Sequence, residues 1–216
     1  MKGIEAAQAL CELGVRLTES SLVAGTWGNI SLRVDGGAMA ITPSGVPYRE
    51  LTPEGIPIVF LADGSWTGPK PSSEMKLHAE IYRRREEIGA VIHTHSPSAS
   101  VVAAARREVP PVLDDMAQII GPTLRVAPYA LPSTRKIVKV TMRALAGRMA
   151  ALLANHGAVC LGRDGEEAFT CAMVTEKACK AFIEAEFLGG AKSIPRFEAV
   201  VMHQYYLRKY SKQGRQ

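Results

Sequence analysis

Two short apolar runs in this chain end in histidine. Ala90-Val91-Ile92 leads into His93-Thr94-His95, and Ala151-Leu152-Leu153-Ala154 leads into Asn155-His156-Gly157. Apolar runs of this length read as buried strands. The segments around them switch between the helical and the strand period. Ile4, Ala7, Leu10, Cys11, Gly14 and Leu17 fall on one side of a helix over 4–18. Residues 26–34 alternate as a strand, and Gly36-Gly37 turns the chain into a second strand over 38–41. Pro43, Gly45 and Pro47 break the chain before a strand over 56–61, which ends in an Asp63-Gly64 turn. Ser72 or Ser73 caps a helix to about residue 87, with Glu74 in its first turn, where the helix dipole favours an anion. A strand over 90–95 and a helix over 97–106 follow, and then a proline-rich connection reaches 116–120 and 124–127. Ser133 caps a helix to about 146. Strands at 150–154 and 158–161 precede helices over 165–188 and roughly 196–210, and 211–216 reads as a polar tail. Hairpins mixed with strand-helix alternation predict one α/β domain over 1–210, a three-layer α/β/α sandwich with a mixed central sheet.

The 216 residues suffice for one sizeable core. The net charge of +5 is not organised for nucleic acid, because the dense run Arg83-Arg84-Arg85 is followed at once by Glu86-Glu87. It reads as a solvated helix face, and mild positive charge also suits an anionic metabolite. Cys11, Cys160, Cys171 and Cys179 form no Cys-x-x-Cys pair and read as small buried hydrophobes. Glu5 and Glu12 interrupt any leader-like apolar stretch, and no run is long enough to span a membrane. The expectation is a cytoplasmic protein that partners neither nucleic acid nor membrane.

Side chains alternate faces along a strand, so His93 and His95 point the same way, about 6–7 Å apart. Both nitrogens can then reach one ion at about 2.0–2.1 Å. His156 has a similar setting, and Gly157 permits a close approach or an unusual turn. Three imidazoles at strand ends suit an open catalytic zinc site, with manganese or iron as alternatives. Glu74 can supply a carboxylate for proton transfer. His78, one helical turn later, reads as a hydrogen-bonding helix residue, and His203 as surface or interface. Four stretches suit an anion cradle: 25–29, 42–45, 71–73 and 121–123. Each joins glycine or serine to a tight turn, although none matches a P-loop or dinucleotide fingerprint. The helix start at Ser72-Ser73 is the best phosphate candidate among them.

With these motifs in hand, the chain resembles the class II aldolase/adducin family over about residues 5–190. The matching motifs are Gly25-Thr26-Trp27-Gly28-Asn29-Ile30-Ser31, Thr42-Pro43-Ser44-Gly45, Lys70-Pro71-Ser72-Ser73-Glu74, His93-Thr94-His95-Ser96 and Asn155-His156-Gly157, in family order. The resemblance implies zinc on His93, His95 and His156, and Glu74 as acid/base, also a ligand when substrate is absent. It implies phosphate binding by Gly28, Asn29, Ser44, Gly45, Ser72 and Ser73. It also implies a homotetramer with sites at subunit interfaces. The activity it implies is reversible cleavage of a ketose 1-phosphate, of the L-fuculose or 5-deoxyribulose type, to dihydroxyacetone phosphate and an aldehyde. Glu74 favours an aldolase over the family's 4-epimerases, which carry aspartate after the two serines. Trp27 and the His-Thr-His-Ser wording look epimerase-like. A methylthioribulose-phosphate dehydratase is a further alternative. An adducin-like binding module is disfavoured, because the three histidines and the glutamate are all present. One departure stands out: the stretch 111–116 has no tyrosine where the fuculose-phosphate enzymes place a catalytic one. Asp115 stands near that position, and Tyr205, Tyr206 or Tyr210 could instead serve a neighbouring subunit as general acid.

Overall fold

The computed structural model describes residues 1–213, with side chains to Lys209. The strands among them are β1 (Asn29–Val34), β2 (Ala38–Ile41), β3 (Ile58–Phe60), β4 (Trp66–Thr67), β5 (Ala90–Thr94), β6 (Arg125–Ala127), β7 (Ala150–Leu153) and β8 (Gly157–Gly162). The helices are α1 (Gly3–Glu19), α2 (Met75–Arg84), α3 (Pro97–Ala105), α4 (Asp114–Ile119), α5 (Arg135–Ala144), α6 (Gly165–Phe187) and α7 (Arg196–Gln213). One sheet has the order β4-β3-β2-β1-β5-β8-β7-β6. Every pairing is antiparallel except β6 with β7, so the sheet is mixed, as expected.

The layers follow from the period of β1. Ser31 faces α2, where its hydroxyl lies 2.7 Å from His78 Nδ1 and 2.9 Å from the Tyr82 hydroxyl. Leu32, the next residue, faces the other way and packs near Leu13 of α1 and Gly165 at the start of α6. Helices α1 and α6 therefore cover one face and α2 the other, with α5 packed against α2. The central strands β5, β7 and β8 are buried along their whole length, which is why they read as unbroken apolar runs. Helix α2 is amphipathic: Leu77, His78, Ile81 and Tyr82 are buried, and Lys76, Arg83 and Arg84 are exposed.

Several boundaries differ from the sequence reading. Glu74 is the N-cap of α2 rather than a first-turn residue, and the helix stops at Arg84. Gly25 and Thr26 form a turn and the chain stays irregular through Gly28, so β1 starts at Asn29. Thr134 caps α5, its hydroxyl accepting from Ile137 N at 3.3 Å, while Ser133 takes a left-handed conformation with φ 65°. Helix α7 continues to Gln213, and the last three residues of the expected tail lie outside the described residues. Cys160, Cys171 and Cys179 are buried and unpaired, as anticipated. Among the described residues, no helix is long and apolar enough to cross a membrane.

Candidate active site

The topology gathers the conspicuous motifs at one end of the sheet. Asn29 opens β1 directly opposite His93 near the end of β5. Thr42 follows β2, and its hydroxyl accepts from Ile30 N at 3.2 Å. The 42–45 and 70–73 loops pair with each other through a bridge between Pro43 and Pro71. Ser44 N donates to Lys70 O, and Ser72 N to Thr42 O, both at 3.0 Å. On the other side of β5, Thr94 lies opposite Ala158, so the turn from β7 to β8 brings His156 to the same end. Asn155 enables that turn by adopting φ 57°, a left-handed conformation that asparagine tolerates.

The three imidazoles converge through their Nε2 atoms. His93 Nε2 lies 2.9 Å from His95 Nε2 and 3.3 Å from His156 Nε2. His93 Nδ1 donates to Ala158 O at 2.8 Å, which leaves its Nε2 lone pair facing the cluster. A backbone carbonyl orienting the remote nitrogen in this way is the usual support for a metal-bound histidine. Lone pairs facing one another at these distances repel unless a cation or a proton lies among them. Tetrahedral nitrogens about 2.0–2.1 Å from an ion stand roughly 3.3 Å apart, so the cluster fits such an ion. Glu74 completes the group. Its Oε2 lies 3.2 Å from His93 Nε2 and accepts from Asn29 Nδ2 at 2.9 Å. Its Oε1 is buried, 3.9 Å from His156 Nε2, and makes no hydrogen bond. A buried carboxylate oxygen without a donor, beside three inward-facing nitrogens, is what a cation would satisfy. The residues present therefore fit a divalent metal.

The electrostatics keep these groups ready to bind one. Burial lowers the pKa of His95 to about 3 and that of His156 to about 4, with repulsion from His93 adding to both. Both are neutral at pH 7, as metal ligation requires. Burial acts to raise Glu74, but His93, the Asn29 amide and His156 outweigh it and hold the carboxyl at about 2. It is an ionised base at neutral pH.

His78 stands apart from the ion-facing cluster, as the sequence suggested. It is fully buried on α2, with Nδ1 against Ser31, and burial lowers its pKa to about 3. Between that value and the unfolded value of about 6.5, the unfolded chain holds a proton on His78 that the folded chain lacks. Stability therefore rises with pH across this interval and is at its full value above about 6.5. The metal-free protein should lose about 2–3 kcal/mol to this group between pH 7 and pH 4.5. Urea unfolding at a series of pH values measures the slope, and His78→Gln should lower it by about one proton's worth, leaving the contributions of His95 and His156.

The candidate phosphate residues are placed close by. Ser72 is nearly buried and its hydroxyl accepts from Glu74 N at 3.3 Å, while Ser73, Ser44 and Gly45 are exposed. Gly28 adopts φ 85°, and a Cβ there would stand 2.6 Å from His93 O and 2.8 Å from a Val23 methyl. Only glycine fits, because backbone blocks the added carbon in a conformation already costly for L-residues. Gly28→Ala should destabilise the protein by about 2–4 kcal/mol. It should also displace His93, which chemical denaturation and metal content would register together.

Other candidates sit elsewhere. Asp115, at the start of α4, bonds Lys177 Nζ at 2.7 Å and caps Met116 N at 2.9 Å. The Tyr206 hydroxyl donates to Glu167 Oε1 at 3.4 Å. The Tyr210 side chain lies outside the described residues. His203 is buried rather than superficial, with Nδ1 2.7 Å from Gln118 O, because α7 packs on α4. Sequence reasoning missed the Ala158 carbonyl, which leaves no signature in residue type. It also missed Tyr82, which extends the His78–Ser31 pair; its spacing of four from His78 was the available clue. Trp27 is exposed at the mouth of the site, its ring 5.7 Å from that of His95.

Comparison with known proteins gives consistent matches. A family model described as Class II Aldolase and Adducin N-terminal domain matches residues 8–183. A 5-deoxy-D-ribulose 1-phosphate aldolase of Bacillus thuringiensis serovar kurstaki is 36% identical over 187 residues, 86% of this chain and 87% of the relative. An L-fuculose phosphate aldolase of Escherichia coli K12 is 33% identical over 180 residues, 82% of each chain. A solved structure of an L-fuculose 1-phosphate aldolase superposes with a TM-score of 0.90 at 32% identity, covering 94% of this chain and 96% of that one.

Proposed function

This chain belongs to the class II aldolase and adducin family and is an aldolase, and we propose that it reversibly cleaves a ketose 1-phosphate, of the 5-deoxyribulose or L-fuculose type, to dihydroxyacetone phosphate and an aldehyde. The observation that carries this reading is the meeting of His93, His95 and His156 with the buried Glu74 carboxylate. His93, His95 and His156 would hold a divalent ion, zinc by ligand type, with Glu74 as a further ligand before substrate arrives. When bound, the ion supplies Lewis-acid polarisation of the ketose carbonyl. The backbone and side chains of Gly28, Asn29, Ser44, Gly45, Ser72 and Ser73 hold the phosphate and so fix the sugar's register. The C3–C4 bond breaks, its electron pair passes into the carbonyl system, and the C4 hydroxyl leaves as the aldehyde. Glu74 moves the proton at C3, completing dihydroxyacetone phosphate in the cleavage direction and creating the nucleophile in the reverse direction.

The C4 oxygen needs its own proton partner. Asp115 and Tyr206 are the candidates, and Tyr206, on α7, would act on the site of an adjacent copy. Assembly as a homotetramer with shared sites agrees with the bare apolar groups at the end of the chain. Phe187, Leu188 and Phe197 are 87%, 89% and 78% exposed. Residues 1–210 would serve as one catalytic unit, working in the cytoplasm.

The test is release of dihydroxyacetone phosphate from a panel of ketose 1-phosphates, including fuculose and 5-deoxyribulose phosphates, with and without chelator. Release that stops on chelation and returns with zinc supports the proposal. Absence of release from every member would transfer it to a 4-epimerase or a methylthioribulose-phosphate dehydratase.

A further inference from the structure

We propose that the groove between α2 and α5 is a second ligand site, for an organic anion that carries two or more phosphates on an apolar body, such as a nucleoside di- or triphosphate. The groove offers about 1040 Å³, at the upper end of the range that holds small organic ligands. Its floor is apolar, built from Val59, Met75, Ala79, Val138, Met142 and Leu145. Its walls are cationic. Arg135, Lys139 and Arg143 line it from α5, and Lys76 faces them from α2.

These four cations make no side-chain hydrogen bond or ion pair among the described residues. The neighbouring arginines do: Arg83 donates to Leu61 O at 2.6 Å, and Arg84 to Glu80 at 2.5 Å. The two acids that line the groove are occupied, Glu80 by Arg84 and Asp63 by Ser65. Positions 135, 139 and 143 are four apart, so three like charges stack along one helical face. Such a row destabilises a helix until something neutralises it. It spans roughly 12 Å at 1.5 Å per residue, more than one phosphate can cover. A bare inorganic polyanion would leave the apolar floor unused, whereas a ligand with a flat or hydrocarbon body would cover it.

The site is distinct from the histidine cluster but shares a helix with it. Met75, Lys76 and Ala79 line the groove, while Glu74 at the head of the same helix faces the imidazoles. Ligand bound between α2 and α5 would brace the helix that presents Glu74.

Isothermal titration of the zinc-loaded enzyme with ATP, with tripolyphosphate and with a short polyglutamate peptide tests the assignment. Saturable ATP binding is expected, several-fold tighter than that of tripolyphosphate. The double variant K139E/R143E changes two exposed residues outside the catalytic machinery and should weaken ATP at least about tenfold. The neutral pair K139Q/R143Q should weaken it less, and melting temperatures would verify that both variants are folded. Absence of saturable ATP binding, or ATP binding unchanged in both variants, would overturn the proposal. Polyglutamate binding as tightly as ATP, and lost in the same variants, would also overturn it by making the groove a protein-docking surface.

Discussion

Glu74→Gln is expected to leave the metal in place and to lower turnover by about 10²–10⁴-fold, the range that a positioned acid/base contributes. The substitution isolates proton transfer from architecture. Glutamine keeps the volume of the side chain, and its amide oxygen can still accept from Asn29 Nδ2, as Glu74 Oε2 does at 2.9 Å. The three imidazoles are untouched, so metal content should stay near one ion per chain. What disappears is an ionised carboxylate that its surroundings hold at a pKa of about 2. Alanine would be a poorer choice, since it leaves a cavity and strands the buried Asn29 amide. Dihydroxyacetone phosphate release and elemental analysis on the same sample decide the matter. Near-normal turnover by a metal-replete variant would remove Glu74 from proton transfer.

The second large effect is expected at His93. It is fully buried and lies within 3.3 Å of the His95 and His156 nitrogens and of a Glu74 oxygen. His93→Ala should abolish retained metal and activity together. It should also cost about 2–4 kcal/mol of stability, through the cavity and the lost bond to Ala158 O. His95→Ala separates the two consequences. His95 is partly exposed and stands just beyond β5, so its removal should forfeit the metal at a smaller cost in stability. A His93→Ala protein that kept one ion per chain after dialysis would show that the ion sits elsewhere.

The strands bearing the histidines were legible because local pattern decides them: an apolar run ending in polar residues has few other places to go. The same holds for α1, where one-sided spacing matches a buried stripe of Ala7, Leu10, Gly14 and Leu17. Three-dimensional adjacency was less legible. Nothing near His156 in the sequence reveals that β8 pairs with β5, which is what carries the turn before it to His93. The start of α2 misled because Ser72 and Ser73 look like caps, yet the chain turns once more and Glu74 takes the N-cap without any side-chain capping bond. Strand β4 is two exposed residues held only through β3, too short for any period to appear. His203, beside Tyr205 and Tyr206, read as a surface or interface residue, and the packing of α7 on α4 within the chain is what buries it.

The turn that carries His156 has a bearing on biosynthesis. Two of the three imidazoles lie at 93 and 95, and the third follows 63 residues after the first, in the turn before β8, whose pairing with β5 cannot form until β8 exists. A chain leaving the ribosome thus exposes a His-x-His pair well before it can complete a binding site. During that interval the pair offers only a weak, two-point hold on any ion. If the three imidazoles hold an ion as proposed, tight capture would begin once β8 has zipped onto β5, and the cation would select the finished sheet over every shorter precursor. Its binding free energy, less the weak hold of the His-x-His pair in the unfolded chain, would then favour the native state and would make metal supply a determinant of how much full-length chain survives proteolysis.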